Sequence, residues 1–92
     1  MKKIIQRTRR FEKSFGRLGV KTRKLFIKKL RIFIDDEYQP SFRTLKFLWK
    51  HQNEYAFSIT DDVRVIYEKY SEKDQEVLIF TFIDIGAHDK VY

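Results

Sequence analysis

The sequence predicts an α+β fold: a β-α-α-β-β-β chain whose helical hairpin packs on one face of a mainly antiparallel, twisted sheet. Three observations predict it. Apolar residues recur at helical spacing between residues 8 and 35. From Ser41 onward the period changes to two. The chain is 92 residues long, enough for one core, so residues 1–92 read as a single domain.

The elements follow in order. Lys3 to Gln6 is a short, half-apolar strand. Thr8 is placed to N-cap a first helix whose buried stripe is Phe11, Phe15 and Leu18. Gly19 is expected at its C′ position. A second helix runs from Val20 or Lys21 to Ile34 or Asp35, with Phe26, Ile27, Leu30, Phe33 and Ile34 on one face. Leu25 and Ile32 fall nearly opposite, among Lys21, Lys28 and Lys29, and are a candidate docking strip for a partner or a packing contact with a neighbouring element. Asp35-Asp36-Glu37 is disfavoured at a helix C-terminus by the macrodipole, and with Pro40 predicts an exit loop. Phe42 to Phe47 enters the sheet. Tyr55, Phe57 and Ile59 alternate with Ala56, Ser58 and Thr60 as a half-buried strand. Thr60-Asp61-Asp62 is turn chemistry, and Val63, Val65 and Tyr67 return in a hairpin. Ser71 to Gln75 is a polar connection. Val77 to Ile83, apolar on both faces, predicts the central strand.

Composition narrows the function classes. There is no cysteine, so no disulfide framework and no thiolate metal site, which fits a reducing cytoplasm. Met1-Lys2-Lys3 is followed by only Ile4-Ile5, too short for the apolar region of a signal peptide, and no stretch has the length of a membrane span. The net charge is +7. Residues 1–50 hold sixteen Lys and Arg against four Asp and Glu, a balance of +12, while residues 51–92 hold four against nine, a balance of −5. Such polarity favours a polyanionic partner for the N-terminal half.

The chemistry-bearing residues gather late in the chain. After the apolar strand, Gly86 is followed by Ala87, His88, Asp89, Lys90, Val91 and Tyr92. These side chains move protons and hold phosphates. His51 lies in a polar loop, Lys50 to Glu54. On spacing alone either histidine is a surface residue or a catalyst. Arg64 leaves the helix-covered side of the sheet, where its fork suits a phosphate; the competing use is a cross-strand ion pair with Glu54 or Glu68. Asp61, Asp62, Asp84, Asp89 and His88 have no diagnostic metal-ligand spacing, so no metal or other cofactor is expected.

Two segments together resemble a known family. Tyr55 to Tyr67 (YAFSITDDVRVIY) is similar to the "YxFRITxDYRVIF" strand pair of the RelE/ParE toxin superfamily, and Ile83 to Tyr92 (IDIGAHDKVY) to the "DIGTHDEVY" ending of its YafQ-like RelE branch. Phe11 to Leu18 and Pro40-Ser41-Phe42-Arg43-Thr44 resemble that branch's first helix and its entry to the sheet. The resemblance covers nearly the whole chain. It implies a RelE-like fold and the toxin of a type II toxin–antitoxin system. The implied activity is that of a cytoplasmic endoribonuclease that needs no metal, cleaves messenger RNA, generally on the ribosome, and so inhibits translation. The implied catalytic set is His88, Asp62, Arg64 and Tyr92, with Lys46 as a further cation. The implied partners are a cognate antitoxin, for which Leu25 and Ile32 are the candidate contacts, and messenger and ribosomal RNA. Lys2, Lys3, Arg9, Arg10, Lys13, Arg17, Lys21, Lys24 and Arg43 are the candidate RNA contacts, and all but Arg43 are placed against ribosomal RNA rather than the scissile strand. The sequence departs from the family where many members carry a histidine in "RTHKL": Arg43-Thr44-Leu45-Lys46 has leucine there. Either Lys46 or His51 takes its place or cleavage is weakened, so a catalytically weakened RNA-binding relative stays open, as does a ParE-like gyrase inhibitor without nuclease activity.

Overall fold

The computed structural model describes residues 2–47 and 53–87. Strand β1 (Lys2–Arg7) leads into helices α1 (Arg9–Arg17) and α2 (Val20–Asp35), followed by β2 (Leu45–Lys46), β3 (Glu54–Ser58), β4 (Val63–Glu72) and β5 (Val77–Ala87). The sheet order is β1-β5-β4-β3-β2. β1 runs parallel to β5, and the remaining neighbours are antiparallel. The predicted architecture holds, with one change of place: β4 is the middle strand, and β5 lies between it and β1. β5, with a strand on each side, is an inner strand as well.

The helices form where the sequence places them. The Phe11 N–H donates to the Thr8 hydroxyl at 3.0 Å, satisfying one of the orphan donors of the first turn. Gly19 is not the left-handed residue that its C′ position suggested. Its φ of −64° and ψ of 156° are extended, and it serves as N-cap of α2. At the far end of α2 the Lys3 ammonium donates to the Ile34 carbonyl, putting a cation where the macrodipole favours one.

The core is largely aromatic. Phe33 on α2 is fully buried and stacks on Phe57 at 4.4 Å between ring centroids. It meets Tyr67 and Phe80 edge-on, each at 5.2 Å. Phe11 and Phe26 close the other end against Phe82. Burying each such ring contributes roughly 1.5–3 kcal/mol, so this contact line fixes the hairpin on the sheet.

Three expectations change. Leu25 packs against the core, whereas Ile27 is 47% exposed, because α2 is rotated so that Phe26 and Phe33 point straight at the sheet. β3 is buried on both faces: Ala56 and Ser58 are covered as fully as Phe57, their small side chains lying low between longer neighbours. Glu37 is not a solvated loop residue. It is buried, accepts from the Tyr67 hydroxyl at 2.6 Å, and pairs with the Lys69 ammonium at 2.9 Å. The Lys69 ammonium also lies over the Tyr55 ring at 4.4 Å and donates to the Tyr38 hydroxyl.

Burial, and then the hydrogen bond to Glu37, push the Tyr67 hydroxyl far above the ordinary tyrosine range. Burial opposes the Lys69 charge, but the hydrogen bonds to Tyr38 and Glu37 outweigh it and raise its pKa. Both groups keep their protons longer folded than unfolded, so their contribution is complete below the unfolded values and lost as pH rises. Urea unfolding followed against pH should be level near neutrality. Above pH about 10 it should weaken, by up to about 1.4 kcal/mol per pH unit for Tyr67. Tyr67→Phe should be less stable at pH 7 and lose less per unit above pH about 10.

Candidate functional site

The site is built at the far end of β5, and an irregularity in that strand makes it. Tyr67 pairs with Phe82 but Ile66 pairs with Asp84, so Ile83 is an extra residue, a β-bulge. The bulge shifts the alternation by one. Phe80 and Phe82 face the helices before it and Ile85 after it, while Gly86 pairs with Arg64 on the opposite face. Thr8 supports the distortion, its N–H donating to the Phe82 carbonyl and its hydroxyl to that of Ile83 at 2.8 Å. Asp84 Oδ1 accepts from the Ile85 N–H at 2.9 Å, and its Oδ2 pairs with Arg10 Nε of α1 at 3.0 Å.

β1 pairs with β5 only as far as Phe82. Beyond it, α1 takes over the flank. Between the two runs an open groove of about 750 Å³, bordered by Arg9, Arg10, Lys13 and Arg17 on one wall and Asp84 to Ala87 on the other. Ala87 is the last described residue of β5, and His88 follows it in sequence. The groove brings cations of α1 beside the strand end.

Arg64 lies where alternation put it, opposite in face to Val65 and in register with Ser58 and Gly86. It is half-buried. Glu54 on β3 and Glu68 on β4 are in register with each other, farther along the same face as Arg64. Leu45 pairs with Ala56 on Arg64's face and is 40% exposed. Lys46 does not join them. It pairs with Tyr55 on the other face, its ammonium 5.7 Å from the centre of that ring, because neighbouring strand residues point to opposite sides. Asp62 is exposed in the β3–β4 turn, which Thr60 closes by accepting from the Asp62 and Val63 N–H groups.

Several candidate RNA contacts have structural partners. Lys3 holds the end of α2, Arg10 holds Asp84, and Arg43 pairs with Asp61 at 3.2 Å. Arg9, Lys13 and Arg17 line the groove, and Lys2, Lys21 and Lys24 are exposed elsewhere. Ile32 is 43% exposed on α2, whereas its expected companion Leu25 is in the core layer. His88, Asp89, Lys90, Val91, Tyr92, His51 and Lys50 lie outside the described residues.

Solved structures share this arrangement. YafQ from E. coli strain BL21(DE3) superposes with a TM-score of 0.71 at 13% identity, covering 99% of each chain. A YoeB/ParE toxin from Agrobacterium tumefaciens gives 0.71 at 12% identity, covering 96% of this chain and 99% of its own. The fold is that of the RelE and YafQ toxins. A chain of the archaeal RelE–RelB complex from Pyrococcus horikoshii OT3 agrees, with a TM-score of 0.68 at 17% identity over 95% of this chain and 96% of its own. No family model and no curated protein matches the sequence. In this RelE-like fold, no helix among the described residues is long and apolar enough to cross a membrane.

Thr8 and the Arg10–Asp84 ion pair couple the bulge to α1, and loss of the ion pair should be felt unequally along α1. Arg10→Ala, which leaves the buried Asp84 carboxylate short of a partner, should cost about 1–3 kcal/mol in urea unfolding. Arg9→Ala, one residue away on the exposed face, should stay within about 0.5 kcal/mol of wild type.

Proposed function

We propose that this protein is the toxin of a type II toxin–antitoxin pair, acting in the cytoplasm as a metal-independent endoribonuclease that cuts messenger RNA on the ribosome. The observation that carries the reading is Arg64. It stands on a rigid strand, on the face away from the helices, in register with Gly86, two residues before His88 in the sequence. The RelE-like fold supports it, since the solved chains with this fold include toxins and toxin–antitoxin complexes such as DinJ–YafQ from E. coli.

The chemistry asks little of the protein. The substrate's 2′-oxygen attacks the adjacent phosphorus, the O2′–P bond forms and the P–O5′ bond breaks. A base takes the 2′ proton, and an acid supplies one to the departing 5′-oxygen. The products are a 2′,3′-cyclic phosphate and a 5′-hydroxyl. Arg64 stabilises the charge on the phosphorane oxygens with a bidentate fork. His88 moves protons near neutral pH, its ordinary pKa being about 6.5. Asp62 assists or orients it, and Tyr92 stacks on a base or holds a phosphate. Lys46, on the other face, is left out of this set. Requiring the 2′-hydroxyl leaves DNA intact.

A second reading rests on Leu45. An apolar side chain stands on Arg64's face at the position where relatives with "RTHKL" have a histidine. A protein that keeps the RNA surface and has lost cutting would look the same there.

Induced expression of wild type beside His88→Ala decides between them. The expected result is growth arrest with codon-registered cuts mapped by primer extension, both abolished in His88→Ala. Arrest with intact messenger RNA and altered DNA supercoiling would instead make the protein a gyrase inhibitor. Confirmed folded protein without arrest or cuts would make it the weakened relative.

The partner of such a toxin is an acidic or amphipathic antitoxin segment encoded nearby, and Ile32 among the α2 cations is its proposed contact. Ile32→Asp should weaken capture of the co-expressed antitoxin by about tenfold or more while the melting temperature stays put. Leu25→Asp should lower the melting temperature, because Leu25 packs on the core.

A further inference from the structure

We propose that the groove between α1 and the open flank of β5 is a track for the sugar–phosphate backbone of single-stranded RNA, with Arg9, Lys13 and Arg17 as its phosphate contacts. The inference rests on the nuclease reading and says where the strand lies.

Arg9, Lys13 and Arg17 recur every four residues, so they project from one side of α1 about 6 Å apart along its axis. That repeat matches successive phosphates of an extended strand. The acid on the opposite wall, Asp84, is already balanced by Arg10 and by the Ile85 N–H. Among the described residues, the field in the groove is therefore that of the three remaining cations. Gly86 and Ala87 bring the β5 backbone to the surface of that wall with no side chain larger than a methyl group. At Gly86 the groove meets the strand pair that carries Arg64, so a backbone laid along α1 runs on toward the scissile position.

The other cations are placed differently. Lys3 and Lys29 donate to backbone carbonyls, and Arg43 is paired with Asp61. Lys21, Lys24, Lys28 and Arg31 stand on the convex outer face of α2, interleaved with exposed Val20, Ile27 and Ile32. The α1 row lines a concavity that fits a flexible strand, whereas a stiff duplex reaches such a groove less well.

The test is fluorescence anisotropy with the full chain and a labelled single-stranded oligoribonucleotide carrying 2′-O-methyl sugars, which cannot be cut by 2′ attack. The triple variant Arg9→Gln/Lys13→Gln/Arg17→Gln should bind at least about tenfold more weakly at low salt, and its plot of log K against log[salt] should be shallower by about 2. Lys28→Gln/Arg31→Gln, on the exposed outer face of α2, should stay within about twofold of wild type. A photocrosslinker on Ser14→Cys should join the strand, and one on Lys28→Cys should not; this arm reports even if the triple variant fails to fold. Wild-type binding by the α1 variant, an equal loss in the α2 variant, equal competition by an RNA duplex, or crosslinking from Lys28→Cys alone would each overturn the track. So would displacement of the strand by an acidic peptide together with failure of Ser14→Cys to crosslink RNA. The two readings fail separately. Strand binding through α1 without messenger RNA cuts in cells would remove the nuclease and keep the track; cuts with unchanged binding by the α1 variant would do the reverse.

Discussion

The constraint on which the rest depends is the bulge at Ile83 and the small set of polar groups that tolerate it. An extra residue in an inner strand frees backbone groups that must find partners. Thr8 supplies two, from its N–H and its hydroxyl, and the same hydroxyl caps α1. Asp84 takes the Ile85 N–H and binds Arg10 in the first turn of that helix. The end of β1, the start of α1 and the distorted part of β5 are thus one hydrogen-bonded unit. It sets which residues of β5 enter the core and which stand beside Arg64. The groove exists because the unit holds α1 where β1 has stopped.

The charge of the N-terminal half divides into two uses. Some cations complete the fold: Lys3 at the end of α2, Arg10 at the bulge, and Lys29 at the Ile59 carbonyl. Others have no such duty and are spread over α1 and α2. The acids of the C-terminal half divide likewise. Asp84 is an anchor, whereas Asp61 and Asp62 shape and flank a turn. Net charge alone does not separate these roles, because an ammonium on a carbonyl and an ammonium in solvent have the same formal charge.

Much of the fold was legible. The Thr8 cap, the span of α2, the β3–β4 hairpin and the helix-facing aromatics follow from periodicity and turn chemistry, which act locally. The missing parts are those set by contacts distant in sequence. The bulge was ambiguous because Ile83 and Ile85 alternate as plausibly as Phe80 and Phe82 do; the three-residue step from Phe82 to Ile85 is the one trace of it. Glu37 looked like loop chemistry because its partners, Tyr67 and Lys69, come some thirty residues later. Leu25 and Ile27 exchanged places because a small rotation of α2 moves residues at the rim of its apolar arc between core and solvent. For the site, Arg64's face was readable from alternation. The different face of Lys46 needed the β2–β3 register. The groove needed the point at which β1 ends.

The parallel pairing of β1 with β5 has a consequence for synthesis. Lys2 lies beside Val77 and Arg7 beside Phe82, so the first strand made waits for the last before it has a neighbour. The helical hairpin emerges in between, with Phe11, Phe26 and Phe33 facing a sheet whose inner strands do not yet exist. Such non-local order is slow to form. A chain halted before residue 77 has β3 and β4 beneath Phe33 but lacks Phe80 and also Phe82, on which Phe11 and Phe26 pack, and should bind hydrophobic dyes or holding chaperones. The bulge, the groove and the Gly86 position beside Arg64 come into being only once β5 itself has been made.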